Sequence, residues 1–385
     1  MKHRTRDEHL FDPGPKRMLA LDGGGIRGAL TLGFLKRMED LLRERHGGDP
    51  EFRLSDYFDL IGGTSTGSII ATGLALGFSV DKLQGIYKSL SDEVFKRPLL
   101  SFGLLSAKFP QEPLIRALTE HFGEVTLGSD ELQTGLMIVT KRLDTGSPWV
   151  LHNNPRGKYF GEQGKGHIPN KDYLVRAVVR ASTAAPHYFE PERLQIAEDV
   201  VGAFVDGGVS PYNNPAIQLL MLATLEGYGL KWPFGADKLL LVSVGTGYRD
   251  FRLKAEDVLE MPAVQLAAQS ILSIMGDCDW LSQTILQWMS RSPMPWQIDS
   301  EIGDLQNDIP GTGQELISYL RYNVRIETAW IKQYLGLELP EEEVNGLIAM
   351  DQPKNVRQLG NLGTTAAAVQ IKEDHFPTVF DIAPA

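Results

Sequence analysis

Two short glycine turns, each set between an apolar run of strand length and a helical repeat, constrain this chain more than any other feature. Residues 17–21 run into Gly23-Gly24-Gly25, and behind that cluster Leu30, Phe34, Leu35, Met38, Leu41 and Leu42 recur at helical spacing until Gly47-Gly48 stops them. Residues 57–61 make a second candidate strand, which meets the tight turn Gly63-Thr64-Ser65-Thr66-Gly67 ahead of a helix over about 66–76. Apolar runs at 136–140, 203–205 and 239–244 also have strand length, and helical patterns at 173–181 and 217–225 separate them. Strands alternating with helices predict an α/β fold with a largely parallel central sheet.

The texture divides the chain into three. Residues 1–15 read as a mobile polar arm ending in Pro13-Gly14-Pro15, residues 16–250 carry the α/β pattern, and residues 251–385 read as a mostly helical extension packed on that core. Within the extension the helices are expected at 258–275, 280–289 and 314–334, with Pro and Gly breaks between them. Residues 90–112 are apolar without a clear period. They read either as a lid or membrane-facing segment or as an irregular core insertion.

Composition narrows the functions. A formal net charge of −11 argues against a nucleic-acid binder and against charge-driven adhesion to anionic membrane, so any lipid contact is expected to be apolar. A single cysteine, Cys278, excludes an intrachain disulfide and a cysteine-rich metal site. The first residues are charged and lack a signal peptide's apolar stretch, and the longest nearly apolar run, 68–80, is too short to span a bilayer. The expectation is a soluble, cytoplasmic protein.

Gly63, Thr64, Ser65, Thr66 and Gly67 form G-x-S-x-G between a strand and a helix. A nucleophile elbow holds its serine in a strained conformation and needs small flanking residues, while the helix N-terminus stabilises developing negative charge. As a bare pattern it also occurs in ordinary tight turns; the strand–turn–helix setting favours an active serine. Gly23, Gly24, Gly25, Ile26, Arg27 and Gly28 match the dinucleotide fingerprint G-x-G-x-x-G. That reading wants an acidic residue at the end of a second strand, whereas Glu39 to Glu44 fall inside the expected helix. The same glycines serve equally as an anion nest or oxyanion hole. A P-loop reading fails because residues 62–68 contain no lysine. Asp206-Gly207-Gly208 follows an apolar run, where α/β active sites gather, although alone it reads as an Asp-Gly turn. Arg27 either holds the glycine loop or pairs with a carboxylate. Gly245-Thr246-Gly247 reads as a sheet-edge turn. His187 reads as a hydrogen-bonded structural histidine.

Taken in this order, DGGGIRG, GTSTG and DGG, with ASTAAPHYFEP (Ala181 to Pro191) as a fourth segment, strongly resemble the patatin-like phospholipases over about residues 16–250. The resemblance implies a three-layer α/β fold and a Ser–Asp catalytic dyad of Ser65 and Asp206. It also implies an oxyanion hole from the Gly23–Gly28 loop and release of fatty acid from phospholipid or other lipid esters, without cofactor or metal. Some bacterial members are antiphage effectors switched on by cyclic nucleotides, and the extension around Ser318–Asn323 loosely resembles theirs. Lipid substrate, transient membrane-surface contact and a small nucleotide activator are thus the expected partners, and no nucleic-acid polymer. The rivals are a dinucleotide-binding protein using the glycine loop and a catalytically silent interaction protein. A histidine base is not expected, because after Asp206 only His375 remains, with nothing strand-like directly before it.

Overall fold

Strand β1 (Lys16–Leu21) is buried along its whole length, as a strand between parallel partners with helices on both faces must be. Its alternate side chains feed two separate cores: Leu19 and Leu21 enter one, Met18 and Ala20 the other. The computed structural model that shows this describes residues 3–95, 108–164, 166–250, 253–308, 310–311 and 313–382.

Parallel to β1 lie β2 (Leu60–Thr64) on one side and β7 (Leu239–Val244) on the other; β3 (Gly135–Arg142) continues parallel beyond β2. Strand β4 (Ser147–His152) pairs antiparallel with β3, and β5 (Glu192–Ala197) forms a hairpin with β6 (Val200–Asp206), which joins β3 antiparallel. Strands β8 (Ser290–Arg291) and β9 (Ile317–Tyr322) extend the sheet past β7. The order is β5-β6-β3-β2-β1-β7-β9-β8, with β4 on β3.

One face of the sheet is covered by α2 (Gly28–Arg45), α3 (Thr66–Ala75), α4 (Val80–Val94), α5 (Glu112–Phe122), α6 (Val175–Ser182) and α9 (Val356–Gln370). The other carries α1 (Arg6–Phe11), α7 (Ala216–Thr224) and the end of α8 (Ala263–Trp288). Helices α2 and α9 approach so closely that a Cβ on Gly33 would stand 2.5 Å from the Gly363 carbonyl carbon. The result is a three-layer α/β fold around a mostly parallel sheet.

Several expectations are corrected. The arm before Lys16 is anchored: Thr5 and Glu8 form a capping box, Leu10 is buried, and the His9 and Arg4 side chains meet the buried Asp59 carboxylate at 2.9 Å each. Residues 54–57 form a helical turn and β2 begins at Leu60, because Asp59 turns inward to accept hydrogen bonds from the Arg17 amide and guanidinium at 2.9 Å. Helix α8 runs unbroken across residues 276–279, since a lone Gly276 weakens a helix without ending it. The helix expected over 314–334 is overturned: residues 317–322 are strand β9, every residue buried. That burial on both faces left no polar alternation to read. Strand β7 is internal, so Gly245-Thr246-Gly247 is not an edge turn. The expectation for residues 90–112 falls largely on 96–107, outside the described residues.

Candidate active site

Ser65 and Asp206 come together because two strands share one edge of β3. Strand β2 ends with Thr64 opposite Val139, and the next position of β3, Thr140, is taken by Asp206 at the end of β6. The two strands run in opposite directions, so their carboxyl ends meet head to head.

At that junction Ser65 leaves the sheet with φ 52° and ψ −125°, a conformation that ordinary side chains adopt only where the surroundings enforce it. Its amide donates to the Ser182 hydroxyl at 2.9 Å, and its carbonyl accepts from the Ser68 hydroxyl at 2.6 Å and the Ser68 amide at 2.9 Å. Space dictates the neighbours. A Cβ on Gly63 would strike the Gly67 backbone, and one on Gly67 would stand 2.7 Å from the Leu21 carbonyl carbon. Thr64 and Thr66 face inward: the Thr64 hydroxyl donates to the Tyr212 carbonyl at 2.6 Å, and the Thr66 hydroxyl lies 2.9 Å from that of Tyr87.

The Ser65 hydroxyl donates to Oδ2 of Asp206 at 2.5 Å, and the Gly208 amide donates to Oδ1 at 2.7 Å. Asp206 is only 5% exposed. Burial pushes its carboxyl up to about 6, against the opposing pull of those two hydrogen bonds. A carboxylate of that basicity, in contact with a hydroxyl, can take its proton near neutral pH. Gly207 lies against the Val139 carbonyl, where a Cβ would fall 2.8 Å from the carbon.

Facing Ser65 is the glycine loop. Four of its six amides are committed: Gly23 to the Asn213 carbonyl at 3.1 Å, Ile26 to Met350 at 2.9 Å, Arg27 to Gly24 at 3.2 Å, and Gly28 back to Gly25 and Ile26. Those of Gly24 and Gly25 make no hydrogen bond among the described residues. Such paired amides can receive an oxyanion. The Arg27 Nε donates to the Gly24 carbonyl at 3.4 Å.

The props of this loop come from far along the chain. Asp22 receives a bidentate contact from Arg321 of β9, at 2.9 and 2.6 Å, with both side chains buried. The Thr246 hydroxyl donates to the Gly23 carbonyl at 3.0 Å, and a Cβ on Gly24 would stand 2.6 Å from Cβ of Thr246. The Tyr87 hydroxyl donates to the Gly25 carbonyl. Asn213 accepts from Gly23 while its amide group reaches Asp279 of α8 at 3.3 Å. None of these supports was singled out from sequence. Asn213 sits in a short turn with no motif, Gly245-Thr246-Gly247 reads as an edge turn with no link to the loop, and Arg321 lies in a run whose pattern predicts a helix. Asp22, at the head of the quoted DGGGIRG, was within reach.

Loop, serine and aspartate open into a cavity of about 600 Å³ whose walls include Ile69, Leu90, Val94, Leu114, Phe189 and Met275. Of the described residues lining it, none is a histidine. His187 is exposed, and His375 is buried with Nδ1 2.9 Å from the Tyr322 hydroxyl. No cluster of three metal-ligating side chains occurs among the described residues. The dinucleotide reading of the glycine loop loses its second requirement, because β2 ends in the serine turn rather than at an acidic residue.

The family profile described as patatin-like phospholipase matches residues 19–220. Among curated relatives, a cGAMP-activated phospholipase of Vibrio cholerae is 32% identical over 222 residues, covering 54% of this chain and 57% of that protein. A cGAMP-activated phospholipase of Escherichia coli is 30% identical over 251 residues, covering 64% and 66%. Patatin-17 of Solanum cardiophyllum is 26% identical over 243 residues, covering 60% of each chain. The matched region spans about three fifths of the length of these relatives.

Proposed function

The chain belongs to the patatin-like phospholipase family, and from that membership we propose that it is a lipid acyl hydrolase of the phospholipase A type, with Ser65 as nucleophile and Asp206 as general base. The observation that carries the reading is the 2.5 Å contact between the Ser65 hydroxyl and Asp206 at the strained turn, on the floor of an apolar cavity. Asp206 takes the hydroxyl proton as Ser65 Oγ attacks the ester carbonyl. The Gly24 and Gly25 amides receive the tetrahedral oxyanion. Collapse expels the alcohol or lysolipid, which takes up the proton, and leaves an acyl-serine. Asp206 then draws a proton from water, the hydroxide attacks the acyl carbon, and the fatty acid departs as Ser65 is reprotonated. This chemistry needs no cofactor or metal.

For such a substrate the chain must reach a lipid surface. No helix among the described residues is long and apolar enough to cross a membrane; the contact proposed is peripheral. Helix α8 supports it: Val264, Leu266 and Ile274 are 78%, 40% and 59% exposed, and Met275 of the same helix lines the cavity. Residues 261–276 carry no charge, so the contact would be apolar.

Fatty-acid release from a panel of defined phospholipids, galactolipids and neutral lipids tests the activity. Release by the native chain and none by Ser65→Ala is expected; equal release by both would overturn the reading.

A second reading is favoured by the relatives named cGAMP-activated phospholipases: a small nucleotide switches the hydrolase on. Release measured with and without added cyclic nucleotide checks it, and constitutive activity indifferent to every nucleotide would count against it.

A further inference from the structure

Beside the Gly23–Gly28 loop, and sharing Arg27, Asn213, Gly276, Asp279 and Met350 with the chamber of Ser65, lies a second cavity of about 860 Å³, within the usual range for small-molecule sites. Four of the groups that hold the loop also line this cavity: Asp22, Asn213, Thr246 and Met350. Whatever fills it therefore rests on the supports of the oxyanion amides.

The lining is chemically unlike that of the apolar chamber. Tyr248 and Trp280 meet edge to face at 5.7 Å, and both line the cavity. Beside them Gln283, 7% exposed, holds a buried Nε2 with no hydrogen-bond partner among the described residues. An unpaired buried donor costs about 1–3 kcal/mol, which a ligand acceptor would recover. Two guanidinium groups add to the donors. The ion pairs of this wall run from Arg321 to Asp22 and from Arg325 to Asp250 and Glu327. Arg27 and Arg249 belong to none of these; they contact the Gly24 carbonyl and the Asn345 side chain. The acidic side chains are mostly engaged, Asp279 by Asn213 and the Asn214 amide, and Glu341 is exposed.

Aromatic faces beside a buried amide donor and two guanidinium groups that pair with no carboxylate among the described residues fit a planar, acceptor-rich ring that carries phosphate. We propose that this cavity is an effector site for a nucleotide, its base against Trp280 and Gln283 and its phosphate toward Arg27 and Arg249, and that occupancy sets the position of the Gly24 and Gly25 amides. The proposal rests on the nucleotide activation proposed above and gives it a place and a mechanism. A ligand can bias the loop only through contacts that differ between loop positions. Asn213, Thr246 and Met350 are such contacts, since each touches both the loop and the cavity.

The test titrates the full chain separately with cyclic GMP–AMP, cyclic di-AMP, AMP and inorganic phosphate. It follows tryptophan fluorescence together with hydrolysis of a soluble short-chain ester. Saturable binding of at least one nucleotide with a rise in turnover is expected, and Trp280→Ala and Gln283→Leu should each weaken binding by roughly tenfold or more. Turnover without nucleotide should stay unchanged in Gln283→Leu. Absence of saturable nucleotide binding, binding of inorganic phosphate alone, or affinity untouched in both variants would overturn the proposal. Fluorophosphonate labelling of Ser65 in the same samples reports separately on the hydrolase reading, so the two can fail independently.

Discussion

Asp206 is placed where its charge is most costly and its basicity most useful. Burial raises its carboxyl to about 6, so its ionised form is disfavoured in the folded chain and stronger as a base than an exposed aspartate. The sign of the resulting pH dependence follows from that direction. Folding binds a proton more tightly than the unfolded chain does, so the stabilisation is full below about 4 and is lost as pH rises through about 6. Activity by the proposed mechanism runs the other way, since the proton-accepting form appears only above about 6. Turnover of a soluble ester should therefore rise through an apparent pKa near 6. Asp206→Asn should melt higher than the native chain at pH 8, by on the order of 2–3 kcal/mol of added stability. That gain should vanish in thermal scans at pH 4. A flat pH–rate profile between 5 and 7, with equal melting of both proteins at pH 8, would mean that Asp206 is not the desolvated base described here.

At the scale of elements, the site is a meeting of chain ends: the serine turn after β2, the aspartate turn after β6 and the glycine loop after β1. Those turns were legible in sequence because each ends a strand in residues that only a special backbone requires, and β1, β2 and β7 lie within a few residues of where the apolar runs put them. Their assembly was not legible. The sharing of β3 between β2 and β6 is a matter of register, and the supports Asn213, Thr246 and Arg321 act through distances spanned only by the folded sheet. Strand β9 escapes recognition because its polar residues, Ser318 and Arg321, stand three apart and are buried with the rest, so the run lacks the alternation by which strands are recognised. The glycine loop yields its own prediction. Gly24 is extended at φ 170°, so its constraint is space: a Cβ would enter the Thr246 side chain. Gly24→Val should lower kcat for ester hydrolysis by roughly 10²–10³, the cost typical of one lost oxyanion donor. A folded Gly24→Val enzyme with near-native kcat would show that the loop has another task.

For the molecule as a whole, the segment beyond residue 250 is woven into the α/β unit that carries the candidate site. Strand β9 extends the central sheet, Arg321 braces Asp22, and α8 supplies Met275 to the cavity wall. The exposed apolar side of α8 makes the membrane contact testable. Leu266→Gln with Ile274→Gln should reduce hydrolysis of phosphatidylcholine vesicles several-fold and leave a soluble ester untouched, because about 40% and 59% of these side chains already lie in water. Equal rates on vesicles for variant and native chain would remove α8 from the lipid surface. The central claim, that a serine and an aspartate act without a histidine, is tested most directly by one comparison of soluble-ester turnover among Asp206→Asn, His187→Ala and His375→Ala, each checked for folding. Asp206→Asn should fall by about 10²–10⁴, the usual contribution of a general base, while both histidine variants keep most of their activity. A folded histidine variant as inactive as Asp206→Asn would contradict the dyad.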